Sequence, residues 1–215
     1  MNVVSFVGVY STEAHPFALV YEYMDGLDLK QYLRNEPNAK KLELVSDIAQ
    51  SLDRMDRLGI VHGSLKATNI LVDGVGTPRI AGLSNVHIPP HFAAWATEGG
   101  VNIDRLGRGP VEFAEPGLAP NVTGSTQPVE ASDMYYSFGV MAFEILTGHA
   151  PFSELTEVAA KYAMLRGDRP PRLNNPEISD RLWDMVEGCW HIVPSQRMSI
   201  EEAVDLLEIE LGRTS

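Results

Sequence analysis

The residues His62-Gly63-Ser64-Leu65-Lys66-Ala67-Thr68-Asn69 put several polar side chains into one short loop between two apolar segments. The loop carries no carboxylate, so any proton transfer here would need another member to act as the base. Ser64 cannot, because a hydroxyl has no useful basicity near neutral pH, and lacking a positioned general base typically costs about 100- to 10,000-fold in rate. Asn69 offers one amide oxygen, which gives little affinity for a hard dication that prefers carboxylate and phosphate oxygens. A satisfied core imidazole is the default reading of His62, and the other histidines, at 15, 87, 91, 149 and 191, show no metal-ligand spacing with Cys or acidic partners.

The elements that must position this loop follow from periodicity. Val3 to Val9 and Phe17 to Tyr23 are β-branched and aromatic runs around a polar break, which predicts an antiparallel pair. From Leu42 to Gly59 the apolar residues Leu44, Ile48, Leu52, Met55 and Leu58 recur at helical spacing, with Gly59 as a stop. Ile70-Leu71-Val72 and Pro78-Arg79-Ile80-Ala81 read as two short strands around Asp73-Gly74, so the polar loop lies between a helix and a hairpin. Residues 84 to 130 carry no sustained period and form an irregular segment within one domain. Asp133 to Thr147 is apolar on several faces and ends at Gly148, the profile of a central buried helix. Leu182, Met185, Val186, Cys189 and Trp190 mark another helix, and Ser199-Ile200-Glu201-Glu202 is a capping box that opens a last one.

Composition narrows the classes. The chain has 215 residues, 44% of them hydrophobic, enough for a globular core. With 17 Lys+Arg against 29 Asp+Glu the formal net charge is −12, which repels polyanions and argues against a nucleic-acid partner. The single cysteine, Cys189, forbids an internal disulfide and suits a reducing, intracellular setting as a core residue. The first ten residues lack a basic leader region, and Glu144 interrupts the most apolar stretch, so neither a signal peptide nor a membrane span is expected.

Three markers in order carry a resemblance: the loop at 62 to 69, Ser132-Asp133-Met134-Tyr135-Tyr136-Ser137-Phe138-Gly139, and Cys189-Trp190 followed by Pro194 and Arg197. Together they resemble the protein-kinase family, especially its tyrosine-kinase-like group, over almost the whole chain. The resemblance implies an α+β, mainly α fold: a kinase-like large lobe with remnants of the small-lobe strands and the hinge. It implies one domain over 1–215, with strand pair and hinge at 1–24 and a helical lobe at 25–215. Ser64 then stands at the position of the base Asp, and Asn69 at that of a magnesium ligand. Lys66 resembles the serine/threonine version of the loop. Val20 to Met24 would be the hinge with Tyr21 as gatekeeper, and Glu22, Met24, Asp28 and Leu71 would face a nucleotide. His62, Asp133 and Arg197 take structural roles, Asp133 anchoring the loop to the central helix or simply capping that helix.

Five departures bear on catalysis. Ser64 replaces the base, and Gly63 replaces the Arg that meets an activating phosphate. After Arg79-Ile80-Ala81 the chain passes directly to Gly82-Leu83-Ser84, without the magnesium-binding Asp or the Phe that follows it. The Ala-Pro-Glu motif reads either as Ala114-Glu115-Pro116 or as Ala119-Pro120-Asn121, the second leaving Arg197 without its carboxylate. The chain begins too late for a Gly-rich loop, small-lobe Lys and helix Glu, and neither Gly74-Val75-Gly76 nor Gly107-Arg108-Gly109 replaces that loop. The reading is an inactive kinase-like scaffold with no cofactor. It is expected to expose apolar surface around Val4, Phe6, Val20 and Leu71, and to cover it with a protein partner or by self-association. The alternative is a serine/threonine kinase using ATP and magnesium whose sequence is incomplete or misread.

Overall fold

β-Branched and aromatic residues extend the chain at its start, and helical periods take over after residue 28. The computed structural model describes residues 2–10, 18–83, 86–87, 130–172, 175 and 178–213. The sequence readings on Ser84, on Gly107-Arg108-Gly109 and on both Ala-Pro-Glu alternatives lie outside these residues. Strand β1 (Phe6–Tyr10) pairs antiparallel with β2 (Ala18–Tyr21), Phe6 opposite Tyr21 and Tyr10 opposite Ala18, as the two runs predict. The rings of Phe6 and Tyr21 meet edge-on at 5.8 Å.

The expected first strand is split. Val3 forms a parallel bridge to Ile80, Val4 N donates to the Ile80 carbonyl at 2.9 Å, and Ile80 N donates to the Asn2 carbonyl at 2.8 Å. Val4 is therefore only 5% exposed, which corrects its place in the expected apolar surface. The chain leaves the ribbon here to bond with β5, and Val3 packs against the core of the lobe. Phe6 and Val20 do stay exposed, and Leu71 is half-buried.

A second antiparallel sheet runs β3 (Leu27–Asp28), β4 (Ile70–Val72), β5 (Pro78–Ile80), in that order. Its hairpin is fixed by Asp73, whose Oδ1 accepts from Val75 N and Thr77 N while Oδ2 accepts from Arg79 Nε. Those backbone bonds and the Arg79 guanidinium hold the Asp73 carboxyl below its usual range, against the desolvation that raises it.

Helix α1 (Leu29–Asn35) starts where Asp28 Oδ1 accepts from Gln31 N at 3.0 Å. Helix α2 (Lys41–Arg57) turns Leu44, Ile48, Leu52 and Met55 inward, the face that its period predicts. Helix α3 (Ala131–Thr147) is buried along most of its length and stops at Gly148. Helices α4 (Glu157–Leu165), α5 (Asp180–Cys189) and α6 (Ile200–Glu210) complete the lobe, and the predicted capping box at Ser199 and Glu202 is formed in both directions. α2 packs against α6, α3 and β5, and α5 joins α3 to α6. Cys189 lies fully inside this core. Among the described residues no helix is long and apolar enough to cross a membrane.

Candidate functional site

The polar loop is carried from the end of α2 to the start of β4, and local bonds set its shape. Gly63 has φ +70°, a left-handed conformation that suits a residue without Cβ. Lys66 is extended, and its carbonyl accepts from Asn69 N at 2.9 Å to close a short 3-10 turn, Ala67–Asn69. That turn brings Asn69 back toward Ser64. Asn69 Nδ2 donates to the Ser64 carbonyl at 2.7 Å and lies 3.4 Å from Ser64 Oγ.

His62 forms the inner wall and is completely buried. Ser64 N can only donate, so His62 Nδ1 accepts its bond at 3.3 Å, and the proton sits on Nε2, which donates to the Ala81 carbonyl at 2.8 Å. Burial pushes the imidazole pKa down, more than the bond to Ala81 raises it, so the ring is held neutral. The same strand end supplies a second tie, from Ala81 N to the Asn69 carbonyl at 2.8 Å.

Gly82 closes the far side. A Cβ on Gly82 would lie 2.5 Å from Asn69 Cγ and 2.7 Å from its Oδ1, and φ there is +71°. No side chain fits beside the Asn69 amide at this point. Motif reading placed Ala81 and Gly82 where the Asp and Phe are lost but missed that they close the site against His62 and Asn69. The signal was the unbroken run Ile80-Ala81-Gly82-Leu83, where one residue had to make the turn against the loop.

Asp133 and Arg197 meet some way along the lobe. Asp133 Oδ2 accepts from Glu130 N at 3.1 Å and caps α3, while Oδ1 takes Arg197 Nη1 at 3.3 Å. These bonds serve its own helix and Arg197 instead of the backbone of 62–69. Arg197 also donates Nη1 to the Ser132 carbonyl at 2.7 Å and Nε to the His191 carbonyl at 2.9 Å, with its side chain 0% exposed. Its Nη2 finds no partner among the described residues. Burial lowers the Arg197 pKa ahead of the opposing pull of Asp133. Arg197 lies over one ring, Tyr136, which Arg169 also approaches, and Arg169 reaches the Trp190 ring and its carbonyl as well. No sequence period announces Arg169.

The residues that the resemblance assigns to a nucleotide lie on β3, on β4 and in the segment after β2. Asp28 and Leu71 are paired across β3 and β4, but the Asp28 carboxylate is occupied as the cap of α1. Glu22 is exposed and its backbone N donates to the Ser5 carbonyl at 2.8 Å; Met24 is half-buried between β2 and β3. Among the described residues no group of three His, Cys, Asp or Glu side chains is placed to hold a metal ion.

A mainly helical lobe with a short three-stranded sheet, and a polar loop running from α2 into β4, is the arrangement in which the chain resembles known proteins. The family model for protein tyrosine and serine/threonine kinases matches residues 1–207, and the chain belongs to that family. A probable serine/threonine-protein kinase, PknB of Lactococcus lactis subsp. lactis (strain IL1403), is 30% identical over 189 residues, 86% of this chain and 28% of that protein. The serine/threonine-protein kinase STY17 of Arabidopsis thaliana is 24% identical over 210 residues, 96% of this chain and 34% of the relative. The tyrosine-protein kinase hopscotch of Drosophila melanogaster is 27% identical over 225 residues, 96% of this chain and 18% of the relative. The chain thus spans about a third or less of the length of these three relatives.

Proposed function

We propose that this kinase-family domain is catalytically inactive and acts inside the cell as a protein-interaction scaffold. One observation carries the reading: Asn69 is closed in by the Ser64 carbonyl and by Gly82, so the loop offers a hydroxyl in place of the base and has no room for a carboxylate beside the amide. A magnesium ion takes oxygen ligands in a near-octahedral shell, and one amide oxygen does not fit that need. The roles of Ser64, Lys66 and Asn69 are then to hold the shape of the loop. The apolar ribbon β1–β2 supports the scaffold half of the reading, since Phe6, Val7, Val9 and Tyr10 are all more than half exposed.

A second reading, an ATP-dependent serine/threonine kinase, draws on Lys66 and on relatives named as such kinases. Thermal unfolding with and without ATP and magnesium separates the two. A ligand at a hundred times its dissociation constant stabilises by about 2.7 kcal/mol, which gives a clear midpoint shift. The scaffold reading expects no shift and no phosphate transfer, and Ser64→Asp alone restores neither. A metal-dependent shift together with transfer that Lys66→Ala abolishes would overturn it.

A further inference from the structure

We propose that β1 is a self-association strand, pairing antiparallel with β1 of a second copy about a two-fold axis at Val9 to build one sheet in the order β2-β1-β1-β2. The inference deepens the scaffold reading and rests on it for one point, that the ribbon is a protein-docking surface.

The sheet β1–β2 has two strands, so among the described residues each strand has an unpaired edge. Two strands alone are marginal in water, and three or more with an apolar face are needed for independent stability. Exposed edges are normally blunted with Lys, Pro or charge. β1 has none of these, and the whole stretch 2–10 carries no charged side chain, whereas β2 runs directly into Glu22 and then Asp25. Two copies at −12 each repel wherever their acidic surfaces meet. The nine uncharged residues 2–10 form the longer charge-free edge, since β2 has four before Glu22, which favours a second copy along β1.

The register follows from the side chains. The irregularity of β1 falls between Phe6 and Gly8, leaving Gly8, Val9 and Tyr10 in regular pairing with β2. A two-fold at Val9 sets Val9 against Val9 of the second copy, and Gly8 against its Tyr10. The space above Gly8 is open, with no atom within 4 Å of an added Cβ, so it can receive that ring, the aromatic-over-glycine pairing that supports strand edges. Val9 and Tyr10 are 51% and 55% exposed in the single chain and become covered. The strand is also held in place before it pairs. Residues 2–4 are bonded to Ile80, and Asn2 N donates to Ser51 Oγ at 3.1 Å.

The test is sedimentation equilibrium of the purified chain with two variants at Val9. The wild type is expected at twice 23.7 kDa in the tens-of-micromolar range. Val9→Lys places two ammonium groups opposite each other at the axis and should weaken the dimer about tenfold or more. Val9→Cys should cross-link to itself under mild oxidation, because directly opposed residues lie about 4.5 to 5.5 Å apart at Cα, within disulfide range. The native Cys189 is buried and does not compete. A wild type that stays monomeric at about 100 µM overturns the proposal, as does a dimer that Val9→Lys leaves intact and Val9→Cys does not link. Thermal shift with ATP and magnesium on the same samples reads the scaffold question separately. A monomer silent to nucleotide sinks only the dimer, and a dimer that transfers phosphate sinks only the inactive reading.

Discussion

Removing the carboxylate of Asp133 should be among the most damaging single changes in the lobe. Asp133→Ala deletes the cap bond to Glu130 N, worth about 0.5 to 2 kcal/mol. It also leaves the fully buried Arg197 without its anion, and breaking a buried pair typically costs about 3 to 5 kcal/mol. Arg197 keeps the carbonyls of Ser132 and His191, which places the pair term at the low end. The expected loss is then about 4 kcal/mol, a large part of the 5 to 15 kcal/mol that typically stabilises a domain. Arg197→Met removes the cation instead. Because both changes delete the same interaction, the double variant Asp133→Ala/Arg197→Met should cost about 1 to 3 kcal/mol less than the sum of the singles. Urea unfolding followed by tryptophan fluorescence measures all three, and the buried Trp190, beside Arg169, is one reporter. Additivity within about 0.5 kcal/mol, or an Asp133→Ala loss below about 1 kcal/mol, would refute the coupling argued from this geometry.

Three further outcomes test the loop. Gly82→Ala should destabilise by about 2 kcal/mol or more, from the left-handed backbone and the clash with Asn69, and should speed amide exchange at Ala81. Gly82→Asp, which puts a carboxylate next to Asn69, should destabilise likewise without creating a magnesium site; tight magnesium binding by titration calorimetry would overturn the steric argument. His62 titrates lower in the fold than its ordinary value of 6.5, so the unfolded chain binds the proton first. Its contribution is intact above pH 6.5 and is lost as pH falls from there through the lower folded value. Unfolding of wild type and His62→Gln at pH 7 and 5.5 should show the variant losing less on acidification, by up to about 1.4 kcal/mol per pH unit within that window, and equal losses would contradict a neutral buried ring.

Much of the helical lobe was legible because its signals are local. The apolar period of α2, the stop at Gly148 and the capping box at Ser199 need only neighbours within a turn or two. β3 is two residues long and exists through its pairing with Val72 and Leu71, so nothing near it in sequence announces it. α1 and α4 are short helices whose caps, Asp28 and Thr156, were the available cues and whose periods are too brief to decide. Val4 looked like the start of an exposed strand, and only the distant Ile80 explains its burial. The loop at 62–69 was readable as chemistry through its resemblance to the kinase catalytic loop, which singles out Ser64 and Asn69. What encloses it was not, since Gly82 against Asn69 is a contact between the end of one strand and the loop before another.

The N-terminal clasp also has a mechanical consequence. The ribbon β1–β2 is joined to the helical lobe along two strands of chain: one through residues 2–5, stitched to Ile80 and Ser51, the other through residues 22–26 leading into β3. One attachment would act as a ball joint and let the ribbon tilt in any direction. Two attachments fix a line, and rigid-body tilt about that line is the soft motion, like a door on a pair of pins. A force applied to the ribbon by whatever binds it is therefore delivered to two addresses at once, the edge of β5 that supports Ala81 and the entry to α1.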